Sequence, residues 1–466
     1  MTTKTIQMGL VILALLSSCG NGKKNVQQAG SNSFTGAKGE VRLITLDPGH
    51  FHAALVQKKM YDQVNPEVRV YALEGADLTQ HLGRIEGYNT RKENQTAWKE
   101  VIYNGSDYFQ KMLDEKQGNV VVLSGNNRIK SEYIKKSVEA GFNVLADKPM
   151  VITPENFPML EESFKIAAAK GVILYDIMTE RHEITSMVQK EISQVPAIFG
   201  TLLPGTPEHP SIEVLSVHFF YKSVSGSALV RPGWFFDVDQ QGEGMVDVAT
   251  HLVDLVQWGC FPGVILQKSD IEMLQARHYP TFLTLDEFKA VTKLESFPDN
   301  LSKFVKDGRL DEYANGEMRY KIKGIHAKVT AEWQYKAPEG SGDTHYSILR
   351  GSKASVEIKQ GEVEKYLPTL YVHANPGTAL PEFSALLENA VVKNSSHAGL
   401  TLEKVDELTW KVNIPVEYKV GHEAHFSQVT EQYLQYLKAG KLPEWEVPNM
   451  IVKYYTTTEA LKMARK

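Results

Sequence analysis

The segment VRLITLDPGHFHAAL, residues 41–55, carries the strongest indication of the fold. Its first part, Val41–Asp47, is apolar and ends at a Pro-Gly pair, so it predicts a short buried strand. The residues that follow fit a helix. A strand, a tight turn and a helix open dinucleotide-binding units, whose turn carries the pattern G-x-G-x-x-G. Asp47, Gly49 and His52 stand at the three glycine positions, which predicts an altered loop that keeps the central glycine.

The same alternation of strands and helices continues to about residue 180. Two segments between the strands, IKKSVEAG (134–141) and TPENFPMLEESFKIAAAKG (153–171), fit helices that end at glycines. Strands that alternate with helices predict βαβ units and a parallel sheet. The further strand-like segments are VRVYALE (68–74), NVVVLSGNN (119–127), FNVLADKP (142–149) and VILYDI (172–177).

Beyond residue 181 the pattern changes. In IHAKVTAEWQYK, residues 325–336, apolar side chains fall on one face and mostly polar ones on the other. Such alternation is typical of an antiparallel sheet with one covered face. We also expect an uneven, helix-like insertion over residues 269–307 and two closing helices, at residues 424–439 and 447–466.

The predicted fold class is therefore α/β with two domains. A doubly wound, Rossmann-type parallel sheet over residues 41–180 is expected to bind the nucleotide. An α+β domain over residues 181–466, with a large and mostly antiparallel sheet, is expected to bind the substrate.

The first 40 of the 466 residues have a composition of their own. Residues 1–18 combine an early lysine with a short apolar run, which predicts a signal peptide. Leu16–Cys19 has the form of a lipobox, so we predict a lipid on Cys19, although a plain signal peptide is the alternative. Residues 19–40 then form a flexible linker. These features predict attachment to a membrane of the cell envelope, facing the periplasm, while the net charge of −5 gives no indication of nucleic acid binding.

The opening loop offers the first candidate site. Gly49 would let the backbone approach a pyrophosphate, and the helix that begins near His50 and Phe51 would direct its N-terminus at the phosphates. Glu74 follows the next strand, about 25 residues on, where a carboxylate binds the adenine ribose. It would repel a ribose phosphate, so we predict NAD over NADP. A strand-turn-helix unit without a ligand is the alternative.

A lysine at the end of a predicted strand is the second candidate. Lys148 precedes Pro149 in ADKPM, so its backbone stays extended. The carboxyl ends of parallel strands form the edge where doubly wound folds bind ligands. The alternative is a solvated surface lysine.

The segment QGEGMVDVATHLVDLVQWG, residues 241–259, is the third candidate. At helical spacing Asp247, His251 and Asp254 share a narrow stripe of a helix that is otherwise apolar and therefore buried. We predict that Asp247 and His251 form a general acid/base pair tuned near neutrality. A satisfied structural network is the alternative, above all for Asp254.

Two histidines of the HEAH segment, His422 and His425, are three residues apart. The segment is not the H-E-x-x-H metal motif, and no third ligand is evident. We therefore predict solvated or capping histidines and no metal site.

Four of these segments together resemble the Gfo/Idh/MocA oxidoreductases. They are VVVLSGNN, VEAGFNVLADKPM, AAAKGVILYDIMTERH and GEGMVDVATHLVDL, in this order and spacing. The segments WQY, ILRGSKASVEI and LPEWEVPNMIVKYY resemble a lipoprotein-type branch of that family. The chain departs from the family pattern at Asp147, at Ala249 and at Ser124–Asn126, besides the opening loop.

The resemblance implies a nicotinamide cofactor and hydride exchange with a sugar, glycoside or polyol carbon. The cofactor would contact Ser124, Asn126, Asn127 and Asp147, and after export it is expected to be held tightly. Two alternatives stay open. The enzyme would cleave a glycoside through transient oxidation without net redox change, or the chain would bind carbohydrate without catalysis. A homo-oligomer is also allowed.

Within that resemblance three residues have implied catalytic roles. Lys148 would contact both the substrate hydroxyl and the nicotinamide ribose. Asp247 and His251 would line the substrate, with His251 as the proton acceptor. Oxidation of an alcohol requires a base for the hydroxyl proton, and a cation nearby stabilises the developing alkoxide.

Overall fold

The computed structural model describes residues 33–224 and 227–466. The predicted signal peptide, the lipid site at Cys19 and the first part of the predicted linker lie outside these residues. The rest of that linker, from residue 33, packs against the fold in this structure, and its flexibility stays a prediction. Phe34 is buried in the core, and the Glu40 carboxylate accepts hydrogen bonds from the backbone N–H groups of residues 35–37.

The first sheet has six strands in the order β3-β2-β1-β4-β5-β6, and all of its described pairings are parallel. This is the strand order of the doubly wound dinucleotide-binding fold, so the predicted fold class is confirmed for this part of the chain. The strands are β1 (Leu43–Leu46), β2 (Glu67–Tyr71), β3 (Lys99–Tyr103), β4 (Val120–Leu123), β5 (Asn143–Asp147) and β6 (Leu174–Ile177).

Helices connect these strands, and their ends follow from the sequence. Gly141 and Gly171 both adopt positive φ values just beyond helices, as expected for C-terminal caps. The helix after the opening loop has only four residues. The helices are α1 (His52–Leu55), α2 (Ala76–Thr90), α3 (Tyr108–Glu115), α4 (Lys130–Glu139), α5 (Phe157–Lys170) and α6 (Ile184–Ser193).

The second sheet is large and mostly antiparallel, as predicted, with the order β10-β12-β13-β7-β14-β15-β16-β18-β17 and β11 beside β12. Only its described pairing of β7 with β13 is parallel. The strands of this sheet are β7 (Ile212–Tyr221), β10 (Ile271–Thr284), β11 (Val305–Lys306), β12 (Arg309–Ile322), β13 (Ile325–Lys336), β14 (Thr344–Arg350), β15 (Ala354–Lys359), β16 (Thr369–Ala374), β17 (Thr401–Lys404) and β18 (Thr409–Asn413), while β8 (Ser223–Val224) and β9 (Ser227–Ala228) pair with each other in a separate two-stranded sheet.

One face of this sheet is covered by helices. Ala327, Val329, Ala331 and Trp333 of β13 are buried beneath α8, which contacts β7, β13 and α12. Among the described residues, no helix is both long and apolar enough to cross a membrane. The remaining helices are α7 (Val238–Gln241), α8 (Val248–Cys260), α9 (Leu285–Thr292), α10 (Leu380–Glu388), α11 (His422–Ala439) and α12 (Glu446–Ala464).

The predicted helix-like insertion at residues 269–307 is wrong for its first half, which is the edge strand β10. Its pairing with β12 shifts register between Met273 and Gln275 and again between Tyr279 and Thr281. Such β-bulges interrupt the two-residue period by which a strand is recognised in a sequence. The second register shift contains Pro280, which a regular ladder would not accommodate.

Candidate functional site

The predicted catalytic residues meet where β5 ends against the segment before α8. The Lys148 ammonium lies 2.6 Å from Asp247 Oδ1, and both side chains are mostly buried. The other carboxylate oxygen, Asp247 Oδ2, accepts a hydrogen bond of 3.1 Å from Gln241 Nε2. Lys148 is therefore held at the edge of the parallel sheet by a carboxylate of the second domain, which excludes a freely solvated lysine.

His251 is in the same region, but not as the predicted partner of Asp247. Helix α8 begins at Val248, so Asp247 occupies the N-cap position, but its carboxylate makes no capping hydrogen bond and binds Lys148 instead. Burial, followed by the charge of Lys148, lowers the pKa of His251 to about 3. The expectation that Asp247 tunes this histidine near neutrality is wrong. The imidazole is neutral at physiological pH, and its Nδ1 has no hydrogen-bond partner in the described part of the chain.

Asp254 belongs to a structural network, as the alternative reading predicted. Its two oxygens accept hydrogen bonds from Arg181 at 2.6 and 2.7 Å, and Lys453 Nζ lies 2.8 Å from Oδ1. Arg181 also binds Glu446. These charges are buried and compensate one another, so Asp254 is separate from the site around Lys148.

The opening loop is packed against both domains. A Cβ atom at Gly49 would lie 3.1 Å from Asp77 Oδ2 and 3.1 Å from the ring of Trp234. Trp234 Nε1 donates a hydrogen bond of 2.9 Å to Asp77 Oδ2. Protein atoms therefore occupy the space in front of Gly49, and a larger residue there would have to displace Asp77 or Trp234 by a few tenths of an ångström, whether or not a pyrophosphate binds.

The backbone amides of the loop are also engaged. Gly49 N donates to Asp47 O, and His50 N donates to Ser124 O at 3.1 Å. The side chain of His50 contacts Phe51, with 4.7 Å between the ring centroids. With so short a helix behind it, the loop in this conformation does not fit a pyrophosphate in the usual glycine cradle.

Acidic side chains surround the loop. Asp47 has a φ of 48°, and Tyr133 donates a hydrogen bond to its carboxyl group. Burial, opposed by this hydrogen bond and reinforced by the charge of Asp77, raises the pKa of Asp47 to about 6. Glu74 is exposed, three residues past the end of β2 rather than at the strand end. Its role in ribose binding stays a prediction.

Of three other predicted cofactor residues, Ser124 binds within the first domain, whereas Asn126 and Asn127 connect the two domains. Ser124 Oγ donates to Asp147 Oδ2 at 2.9 Å. Asn126 Nδ2 donates to Gln240 Oε1, and Asn127 Nδ2 donates to the backbone oxygen of Gln241, both at 2.7 Å. These groups line the same edge of the sheet as Lys148, and their contacts with a cofactor stay predictions.

A cluster of histidines next to Asp147 was missed by the sequence analysis. His52 Nδ1 lies 2.9 Å from Asp147 Oδ2, and ligand atoms of His50, His52 and Asp147 lie within 4.8 Å of one another. His422, which begins α11, faces His52. The sequence shows that the HxH segment (residues 50–52) and the HEAH segment (residues 422–425) are rich in histidine, a common metal ligand. No local pattern indicated that the two segments would lie close together.

Further residues of the site were also missed. Glu180 follows β6 at the same edge of the sheet, so the rule that pointed to Lys148 applies to it as well. Trp234 lies in a 3₁₀ turn and Gln241 ends the four-residue helix α7, and both segments are too short to show a periodic pattern. An open groove of about 660 Å³, lined by residues 59–63 and by α11, contains none of the predicted site residues.

Comparison with known proteins identifies the relatives of this chain. Residues 188–465 match the family model described as "Putative oxidoreductase C terminal domain". The chain is 54% identical in sequence to "a putative oxidoreductase from Parabacteroides merdae" of known crystal structure. The match covers 93% of this chain and 99% of that chain, with a TM-score of 0.90. No curated protein matches the chain.

More distant structures share the fold alone. A 3-ketoreductase from Actinomadura kijaniata, in complex with NADP and TDP-benzene, is 12% identical with a TM-score of 0.53, and the match covers 89% of this chain and 95% of that one. Levoglucosan dehydrogenase, in complex with NADH and levoglucosan, is 12% identical with a TM-score of 0.56, with 91% and 97% covered.

Proposed function

This chain belongs to the oxidoreductase family defined by that C-terminal domain, and we propose that it is a nicotinamide-dependent oxidoreductase of the Gfo/Idh/MocA type. Its substrate is a sugar, glycoside or polyol, which reacts at a hydroxyl group. The folds shared with a 3-ketoreductase and with levoglucosan dehydrogenase support this substrate class.

The observation that carries the proposal is the 2.6 Å ion pair between Lys148 and Asp247 at the sheet edge. A buried ammonium group stabilises the negative charge that develops on a substrate oxygen. Asp247 fixes the position of that ammonium group. The neutral imidazole of His251 has an Nδ1 atom without a partner among the described residues, and this ring would form a hydrogen bond with the substrate hydroxyl.

The carboxyl edge of the parallel sheet would accommodate the two halves of a dinucleotide differently. Lys148, Asp147 and Ser124 offer polar groups that would hold the nicotinamide end, whereas Trp234 covers the loop at the pyrophosphate end. When bound, the cofactor would supply the hydride acceptor. We propose NAD rather than NADP because Glu74 would repel a ribose phosphate.

A second candidate function is carbohydrate binding without a dinucleotide. The observation that favours it is the packing of Trp234 and Asp77 over Gly49, with the buried carboxyl group of Asp47 beside them. Two carboxyl groups in this position oppose an anionic pyrophosphate.

The ligand released from the purified full chain on denaturation distinguishes the two functions. Ultraviolet absorbance and mass of the released material are expected to identify NAD. Release of NADP would contradict the proposal that Glu74 selects NAD by repelling a ribose phosphate. A chain that releases no dinucleotide, and takes up none at millimolar concentration, would support the second candidate instead.

Replacement of Lys148 tests the catalytic role directly. We expect Lys148→Met to lower turnover of a reactive sugar by roughly a hundredfold or more, because the charge that stabilises the developing alkoxide is lost. The assay is nicotinamide reduction, and Lys165→Met, at an exposed position of α5, is the matched control. Equal turnover in Lys148→Met and the parent chain would exclude Lys148 from the reaction.

A further inference from the structure

Two histidine side chains from distant parts of the chain face each other beside the sheet edge. His52 begins α1, His422 begins α11, and their Nε2 atoms are 3.5 Å apart. Hydrogen bonds donated by nitrogen normally span about 2.7–3.2 Å, so a direct N–H···N bond does not account well for this contact.

The hydrogen bonds of His52 determine which of its nitrogens carries the proton. Its Nδ1 lies 2.9 Å from Asp147 Oδ2, and an ionised carboxylate only accepts hydrogen bonds. A neutral ring with its proton on Nδ1 presents the lone pair of Nε2 to His422.

His422 repeats this arrangement from the other side. Its Nδ1 lies 3.6 Å from Glu180 Oε1, which again places a carboxylate behind the ring and leaves Nε2 in front. The side chain is 41% exposed, so the space between the two rings is accessible to an ion. A carboxylate behind each imidazole is the usual arrangement around metal-bound histidines, because it fixes the tautomer and increases ligand basicity.

We propose that His52 and His422 are two ligands of a divalent transition-metal ion, of which zinc is the representative. Two imidazole nitrogens bound to one tetrahedral ion at about 2.05 Å are separated by about 3.3–3.4 Å, close to the distance observed here. Imidazole ligands suit zinc, iron, nickel and copper rather than magnesium or calcium.

The other grouping at this place, His50 with His52 and Asp147, is less suited to an ion. Asp147 Oδ2 already accepts hydrogen bonds from Ser124 and His52, and His50 Nδ1 accepts one from the backbone of His52. Those atoms support the ligand His52, whereas within residues 33–224 and 227–466 the two Nε2 atoms contact each other.

The test is metal binding by the full chain after chelation, measured without sugar or nicotinamide. We expect one Co²⁺ per chain, seen by its visible d–d absorption, and displacement by Zn²⁺. His422→Ala is expected to weaken binding by at least about tenfold, and Glu180→Gln by about 10–100-fold through the loss of support for His422. His209→Ala, at an exposed histidine elsewhere, is the matched control and should bind as the parent does.

A replacement that restores a ligand separates coordination from fold damage. His422→Cys should retain Co²⁺ and add a thiolate-to-metal charge-transfer band, because a cysteine thiolate also binds such ions. Absence of saturable binding to the parent chain at millimolar metal would overturn the proposal. So would equal affinity in the parent and His422→Ala. Neither result depends on whether the chain oxidises sugars.

Discussion

Asp47 has a buried carboxyl group in the turn after β1, and burial raises its pKa to about 6 from an ordinary value near 4. Below about pH 4 the folded and unfolded chains both hold this proton. As the pH rises through 6, the folded chain has to ionise a group that water no longer solvates, so stability present at low pH is lost.

Asp47→Asn should therefore stabilise the protein in a pH-dependent manner. The gain is expected to be about 3 kcal/mol at pH 8 and less than about 1 kcal/mol at pH 4, since each pKa unit corresponds to about 1.4 kcal/mol. Asparagine tolerates the positive φ of this position. Urea unfolding at both pH values measures the effect, with the exposed Asp62→Asn as control. A gain that does not vary with pH would show that the buried charge is not its source.

At the scale of single elements, the sequence predicted what local periodicity determines. Strand β13 and helix α5 follow uninterrupted patterns, and both form where their patterns predict. Strand β10 was missed because two register shifts break its alternation. The start of α8 was misplaced because Asp247 fits the helical stripe as well as a residue inside the helix would. Because the predicted helical segment, residues 241–259, included Asp247, its carboxylate was assigned to His251 instead of Lys148.

Helix α12 is joined to β6 and α8 by a buried lysine. Lys453 Nζ lies 2.8 Å from both Asp176 Oδ2 and Asp254 Oδ1, and the side chain is completely buried. Lys453→Met would leave two carboxylates without this partner and should lower the free energy of unfolding by about 3–5 kcal/mol. Lys462→Met on the same helix removes an exposed pair with Glu459 and should cost less than about 1 kcal/mol. Similar losses in both variants would contradict the network.

At the scale of the whole molecule, the sequence analysis identified candidate residues on the first sheet. It did not identify the residues of later segments that contact them. Asn126 meets Gln240, Gly49 meets Trp234, and His52 meets His422, across separations of more than 100 residues. No periodicity relates such segments, because only the tertiary packing of distant elements brings them together. The folded chain also buries several histidines in neutral form.

This burial makes the protein sensitive to acid. Burial lowers the pKa of His81 to about 4 and that of His251 to about 3, while the unfolded chain takes up these protons near pH 6.5. The stability that these groups contribute is present above pH 6.5 and is lost as the pH falls towards their folded pKa values. Each histidine should lower the free energy of unfolding by about 1.4 kcal/mol for each pH unit that the pH falls across that interval.

His81 allows a clean measurement, because it lies on α2 outside the candidate site and both ring nitrogens lack partners among the described residues. His81→Leu places an apolar side chain beside Leu78 and Leu82 and removes one titrating group. Between pH 6 and 4.5 its unfolding free energy should fall less steeply than that of the parent, by about 1.4 kcal/mol per pH unit. Replacing the exposed His209 by leucine should leave the slope unchanged, and an unchanged slope in His81→Leu would mean that this histidine is already protonated in the folded chain.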